Sequence, residues 1–221
     1  MRENKKKIVV YIHGKGGSAS EAKHYKSLFE SSEVIGFDYK SQTPWEAKEE
    51  FLQYFDKLLE KGCSLEIIAN SIGAYFAMNA LSQKNIEKAY FISPVVDMEK
   101  LIYGMMACAG VSEQDLCKNG EIPTDFGETL SWKYLCYVRK NPIDWRIPTH
   151  IFYGENDDLT PLETISDFAR KTNATLSVMK GGEHWFHTKE QMDFIDERIK
   201  FFYKQKYIKC VFLSSLRFLN F

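Results

Sequence analysis

Ile67-Ile68-Ala69-Asn70-Ser71-Ile72-Gly73-Ala74-Tyr75-Phe76 is an apolar run that ends in a serine and resumes as a helical pattern after a glycine. A serine held on a sharp strand-to-helix turn carries its Oγ clear of the sheet, with the first amides of the helix pointing toward it. That position suits a nucleophile. The stretch matches G-x-S-x-G with Ala69 in place of the first glycine. Strand and helix pack closely there, so small residues are needed two positions either side of the serine, and alanine meets that demand nearly as well as glycine. The strained backbone belongs to the serine, while Gly73 lets the helix approach the strand. Alone, the five residues read equally as a βα turn capped by a serine, so the reading needs partners elsewhere.

Those partners follow in order. Thr149-His150-Ile151-Phe152-Tyr153 reads as a short buried strand and opens into Gly154-Glu155-Asn156-Asp157-Asp158-Leu159-Thr160-Pro161. Thr175 to Met179 reads as another strand, followed by Lys180-Gly181-Gly182-Glu183-His184-Trp185-Phe186. A serine, an acid and a histidine therefore each sit on a loop directly after a strand. Asp158 competes with Asp157 as the acid, and the proline four residues after Asp157 favours Asp157.

Near the start, Lys7-Ile8-Val9-Val10-Tyr11-Ile12 is an apolar strand that opens into His13-Gly14-Lys15-Gly16-Gly17. Two backbone amides aimed at one point stabilise an oxygen that becomes negative during acyl transfer, and the amides of Lys15 and Ile72 are the candidates. The loop by itself also reads as a phosphate cradle, but it lacks both G-x-x-x-x-G-K-[ST] and G-x-G-x-x-G.

Across about residues 7 to 203 the chain resembles the α/β-hydrolase superfamily, in a layout close to small bacterial esterases and other serine hydrolases. The resemblance rests on the Ser71 elbow, the Asp157 loop, the His184 loop and the glycine-rich loop, in that family's order. It implies an α/β-hydrolase fold: a mostly parallel sheet of about six strands with helices on both faces and a helical cap insertion. It also implies Ser71 as nucleophile, His184 as general base and acid, Asp157 as the residue orienting that histidine, and Lys15 and Ile72 as oxyanion donors. The reaction expected is cleavage of an ester, thioester or related acyl bond in a small-molecule substrate, with no metal or organic cofactor. A non-catalytic ligand-binding or interaction protein on the same fold is the alternative. The chain departs from the family at Ala69 and in lacking an N-terminal hairpin.

Composition sets the bounds. A chain of 221 residues, 44% hydrophobic and 14% aromatic, suits a single domain over 1–221 with one substantial core. Its 29 basic against 30 acidic residues leave a net charge of −1, which offers no field for nucleic acid. Five cysteines without C-x-x-C spacing read as buried or free thiols and imply a cytoplasmic protein. The basic start, Met1 to Lys7, precedes an apolar run too short for a signal peptide.

Strands alternate with helical patterns, as in a parallel sheet covered on both faces. The strands expected are Ile8 to Ile12, Val34 to Asp38, Leu65 to Asn70, Ala89 to Ser93, Thr149 to Tyr153 and Thr175 to Met179. Capping boxes mark helix starts at Ser18 with Glu21, Thr43 with Glu46, Thr160 with Glu163, and Thr188 with Gln191. Ala47, Phe51, Phe55 and Leu58 share one helical face, and Met192, Ile195, Ile199 and Phe202 another.

The stretch from about 94 to 147 breaks the alternation and is expected to cap Ser71. Met98, Leu101, Ile102, Tyr103, Met105 and Met106 form either the cap's own core or an adaptable acyl or aromatic pocket, to which Trp132, Tyr134 and Trp145 would add. Asp97 reads as a helix cap, His13 as a loop-packing residue and Asp38 as a structural turn, while His24, His150 and His187 show no metal-ligand spacing. The tail from about 204 to 221 mixes lysines with apolar residues. It reads as a continuation of the last helix packed on its own domain, or as a segment for a membrane surface or self-association.

Overall fold

The computed structural model describes residues 5–216, with side chains as far as Tyr203. Strand β1 (Lys7–Ile12) leads through a 3-10 turn into the short helix α1 (Ala22–Tyr25), then β2 (Glu33–Phe37), α2 (Pro44–Glu60), β3 (Ser64–Asn70), α3 (Ile72–Leu81) and β4 (Ile86–Ile92). The insertion carries α4 (Met98–Ala109), α5 (Glu113–Asn119), β5 (Glu121–Pro123), β6 (Thr129–Ser131) and α6 (Trp132–Lys140). The alternation then resumes with β7 (Thr149–Gly154), α7 (Leu162–Thr172), β8 (Thr175–Met179) and α8 (Lys189–Leu216).

The main sheet has six strands in the order β2-β1-β3-β4-β7-β8, and every pair is parallel. Period-two alternation divides its side chains. Ile8, Val10 and Ile12 of β1 face α2, α3 and α7, whereas Val9 and Tyr11 face α1 and α8. Chain order reverses at β1, which lies between β2 and β3. In open α/β sheets that reversal leaves a crevice at the carboxyl ends of the strands, and the serine, acid, histidine and glycine loops all leave from those ends.

All six expected strands are present, and Ala47, Phe51 and Phe55 of α2 are fully buried. The capping boxes at Ser18 and Thr43 form. Thr188 caps α8 by accepting from the Gln191 amide at 3.2 Å, while the Gln191 side chain accepts from the Thr188 amide at 3.1 Å. The Thr160–Glu163 box does not form, which corrects the expectation. Pro161 stays extended at ψ 143°, α7 begins at Leu162, and the Thr160 amide is taken by Asp157 Oδ1 at 2.9 Å. The antiparallel β5–β6 pair and helix α5, with its own capping box at Ser112 and Asp115, also lie beyond the sequence reading.

Tail residues Arg217, Phe218, Leu219 and Phe221, and the side chains from Lys204 onward, lie outside the described residues. Among the described residues no helix is long and apolar enough to cross a membrane, and Cys63, Cys108, Cys117 and Cys136 are unpaired.

One half-buried group makes stability depend on pH. The His150 ring on β7 stacks between Tyr90 at 5.8 Å and Phe202 at 3.7 Å. Burial, with a smaller effect of the Lys88 charge, lowers its pKa from 6.5 to about 4. The unfolded chain therefore binds a proton that the folded protein refuses between those two values. This stabilising contribution is complete above about pH 6.5 and is lost as the pH falls toward 4. Melting temperature should drop between pH 7 and 4.5, and less steeply in His150→Phe. Identical acid limbs in the two proteins would refute this assignment.

Candidate active site

Ser71 sits between β3 and α3 with φ 51° and ψ −120°, a conformation that side chains other than glycine rarely adopt. Three backbone bonds hold it there. Its amide donates to the Ile92 carbonyl at 2.9 Å, and its carbonyl accepts from the amides of Ala74 at 3.1 Å and Val95 at 3.2 Å. Helix α3 can follow so sharply because Gly73 lies against the β1 loop, where a Cβ would stand 2.3 Å from the His13 carbonyl oxygen.

Ser71 Oγ lies 2.9 Å from His184 Nε2, and His184 Nδ1 lies 2.7 Å from Asp157 Oδ2. The Asp157 side chain is fully buried, and its other oxygen, Oδ1, accepts from the amides of Leu159 and Thr160, both at 2.9 Å. Three donors converge on this one carboxylate and fix its position. With Nδ1 donating to Asp157, His184 is held in the tautomer that offers Nε2 as an acceptor to the serine. The His184 side chain is 14% exposed.

Two loops hold this relay. The acid loop is tied to the histidine loop by the Asn156 amide donating to the Gly182 carbonyl at 2.8 Å, and by the Gly181 amide donating to Glu155 Oε2 at 2.9 Å. Tyr153, buried at the end of β7, donates its hydroxyl to the Thr160 carbonyl at 2.7 Å. Beyond His184, Phe186 is buried beside Ile195 and Ile199 of α8, so the last helix anchors the histidine loop.

The candidate oxyanion residues come together with the serine. Lys15 and Ile72 border the same cavity as Ser71, and among the described residues neither backbone amide has a hydrogen-bond acceptor. Gly14 gives the loop its close approach, since a Cβ there would be 3.2 Å from Ser71 Cβ. The Lys15 side chain turns away and pairs with Glu128 at the end of the β5–β6 hairpin, which bridges the glycine loop and the insertion. His13 packs as a loop residue, with Nδ1 2.8 Å from the Gly14 carbonyl and its ring stacked on Tyr39 at 4.3 Å.

The cavity beside Ser71 measures about 740 Å³, within the roughly 300–1,000 Å³ of small-molecule sites. Insertion residues Met98, Leu101, Ile102, Met105, Leu130 and Tyr134 line it, whereas Met106 is buried in the core with Leu116 and Leu135, which do not line it. The methionine-rich helix α4 thus serves as both core and lining. Trp145 does not reach the cavity: it is buried against Phe91 and donates to Thr149 Oγ1 at 2.7 Å. Trp132 is not among the lining residues, and Tyr103 turns outward to Glu113 and Arg139. Arg139 also bonds Glu99 and Glu113, both at 2.7 Å, and so fastens α4, α5 and α6 together.

Asp158 is exposed while Asp157 bonds the histidine, Asp97 caps α4 by accepting from the Lys100 amide at 2.9 Å, and Asp38 pairs with Lys40 on the surface. Tyr39 from the β2–α2 connection, Trp45 from the first turn of α2, and Phe126 and Leu159 also line the cavity, although nothing in their local sequence marks them as site residues. Among the described residues no cluster of three histidine, cysteine or acidic side chains is placed to hold a metal ion.

No family model matches the chain, and no curated protein matches it in sequence. Solved structures do match. Est1E from Butyrivibrio proteoclasticus is 16% identical at a TM-score of 0.76, covering 94% of this chain and 90% of its own. The same protein with ferulic acid bound aligns at 0.73 and 16% identity, over 94% of this chain and 92% of that one. Alpha/beta hydrolase domain-containing protein 10 from mouse is 15% identical at 0.71, covering 90% of each chain. The chain has the α/β-hydrolase fold.

Proposed function

We propose that the protein is a cytoplasmic serine hydrolase of carboxylesterase type, which cleaves an ester, thioester or related acyl bond through an acyl-enzyme intermediate. The observation that carries this reading is the continuous relay from Ser71 Oγ through His184 to buried Asp157, with contacts of 2.9 and 2.7 Å, beside a cavity that Ser71 lines. A serine hydroxyl is a poor nucleophile near neutral pH. His184 Nε2 takes its proton as Oγ attacks the carbonyl carbon, and Asp157 stabilises the imidazolium that results. The carbonyl oxygen, now negative, is held by the amides of Lys15 and Ile72. As the tetrahedral species collapses, His184 returns the proton to the departing oxygen or sulfur. Water, activated by the same imidazole, then releases the acid and restores the serine.

The acyl group lies on the side of the oxyanion amides, in the large cavity. Tyr39, Trp45, Phe76 and Tyr134 give it aromatic walls, and Met98 and Met105 give it a deformable one. An aromatic or medium-length acyl group fills such a space, and the ferulic acid bound to Est1E is itself an aromatic carboxylic acid. Unpaired cysteines suit a reducing compartment.

The test is intact-mass analysis after treatment with a fluorophosphonate, alongside p-nitrophenyl esters of increasing acyl length. One adduct, mapped to Ser71 and lost in Ser71→Ala, is expected, with turnover rising from acetyl to longer or aromatic acyl groups. Folded protein with neither adduct nor turnover would overturn the hydrolase reading and favour a ligand-binding or interaction role instead.

A further inference from the structure

Trp185 follows the base directly in sequence and is 67% exposed, more than any other large hydrophobic side chain among the described residues. One face of its indole is covered by the His187 ring, 4.2 Å away and 19° from parallel. The other face is open. Together with Asn156, Asp158, Leu159, Glu183 and His184, Trp185 lines an open groove of about 510 Å³. Leu159 lines this groove and the Ser71 cavity alike, so the two spaces meet at the relay.

The chemistry assigns the groove. The oxyanion amides place the carbonyl and its acyl chain in the Ser71 cavity. His184 hands its proton to the departing oxygen, so the alcohol side of the ester must lie against the imidazole, where the groove begins. We propose that this groove is the leaving-group subsite and that it takes a sugar, bound with one C–H face of its ring on Trp185; the assignment rests on the hydrolase reading above.

Three features select that class. The open indole face presents negative quadrupole density to C–H groups, and a single flat platform fits a flat-sided ring. Asn156 offers an amide donor and acceptor, and Asp158 and Glu183 offer carboxylate acceptors, which complement hydroxyl groups in both directions. The same two carboxylates repel anions, and no lysine or arginine lines the groove. A phosphate-bearing leaving group such as coenzyme A is therefore disfavoured. A quaternary ammonium alcohol calls for a cage of several aromatic rings, and Trp185 is the groove's single tryptophan, tyrosine or phenylalanine.

The experiment compares esters that share a cinnamoyl group and differ in the alcohol: methyl, the 6-hydroxyl of methyl glucoside, choline, and the coenzyme A thioester. The sugar ester should exceed the methyl ester in kcat/KM by about tenfold or more. Trp185→Ala should collapse that ratio toward one, chiefly through KM of the sugar ester, and Trp185→Phe should restore part of it. Equal rates on sugar and methyl esters, a ratio untouched by Trp185→Ala, or a preference for choline or the thioester would overturn the assignment. Saturation-transfer NMR with methyl glucoside reads the groove without turnover. Transfer from the parent protein to the sugar that is lost in Trp185→Ala is expected even if no ester is cleaved, and no transfer from the parent overturns the subsite. A fluorophosphonate adduct on Ser71 with no sugar preference would leave the hydrolase standing and remove only the sugar.

Discussion

Alanine at His184 is expected to lower kcat/KM on a p-nitrophenyl ester by about 10^4-fold or more, and Ser71→Ala by a similar factor. The two losses should not add. In the proposed mechanism Ser71 and His184, 2.9 Å apart, act as a unit, so once either is gone the residual rate comes from substrate binding and the proposed oxyanion amides, which both variants keep. The double variant should therefore be about as slow as each single one. Asp157→Asn should fall by a comparable factor for a different reason. An amide there would present a donor to His184 Nδ1, or fix the wrong tautomer, and Nε2 would no longer accept from the serine. Folding is expected to survive His184→Ala, because Asp157 keeps its two backbone donors from Leu159 and Thr160. Steady-state kinetics with a melting curve on each variant settles the matter. A His184→Ala protein that kept a tenth of the parent turnover would exclude the relay as the source of catalysis.

Gly73→Ala should cost both stability and turnover. The added Cβ would meet the His13 carbonyl oxygen at 2.3 Å and Ile12 Cγ2 at 3.0 Å, distances that force a shift. Neither neighbour is free to give way. The His13 carbonyl accepts from the Tyr39 hydroxyl at 2.9 Å, and Ile12 is fully buried at the end of β1. Helix α3 must instead move off the β1 loop, at a cost of about 3 kcal/mol. That motion separates Ser71 and the Ile72 amide on one side from the Lys15 amide on the other. A misplacement on the order of 1 Å lowers catalysis by about 10^2-fold, so kcat should drop even in the protein that remains folded. Gly104 in α4 supplies the contrast. It is exposed, its φ is ordinary and no atom lies within 4 Å of an added Cβ, so Gly104→Ala should stabilise the protein by about 0.5–1 kcal/mol. Urea melts of the two variants give opposite signs if close backbone approach, rather than glycine content, is what Gly73 provides.

The parts of this protein that could be read in the chain are those whose cause is local. The apolar runs at Ile8 to Ile12, Leu65 to Asn70 and Thr149 to Tyr153 each end at a turn residue, so six strands were legible, along with the loops that follow them. The β5–β6 hairpin was not. Its strands are three residues each, too short for alternation to register, and within the insertion they pair Ile122 with Leu130. Thr160 with Glu163 had the right spacing for a helix cap, but the Thr160 amide had a stronger claimant in Asp157 Oδ1. A local propensity lost to a tertiary contact.

By itself the sequence determined the parallel sheet, the order of serine, acid and histidine along the chain, and the loops that carry them. Those depend on strand period, turn chemistry and connection order, which are properties of neighbouring residues. Only the tertiary structure decided which of two adjacent aspartates faces His184, which apolar residues of the insertion line a cavity and which fill its core, and that Trp185 stands open beside the base. Tyr39, Met98, Phe126 and Leu159 come from four separate segments and share no local signal. They line one cavity because the insertion folds back over the carboxyl ends of β1 and β3, and the direction in which a side chain points is fixed by packing between segments, not by the residues beside it.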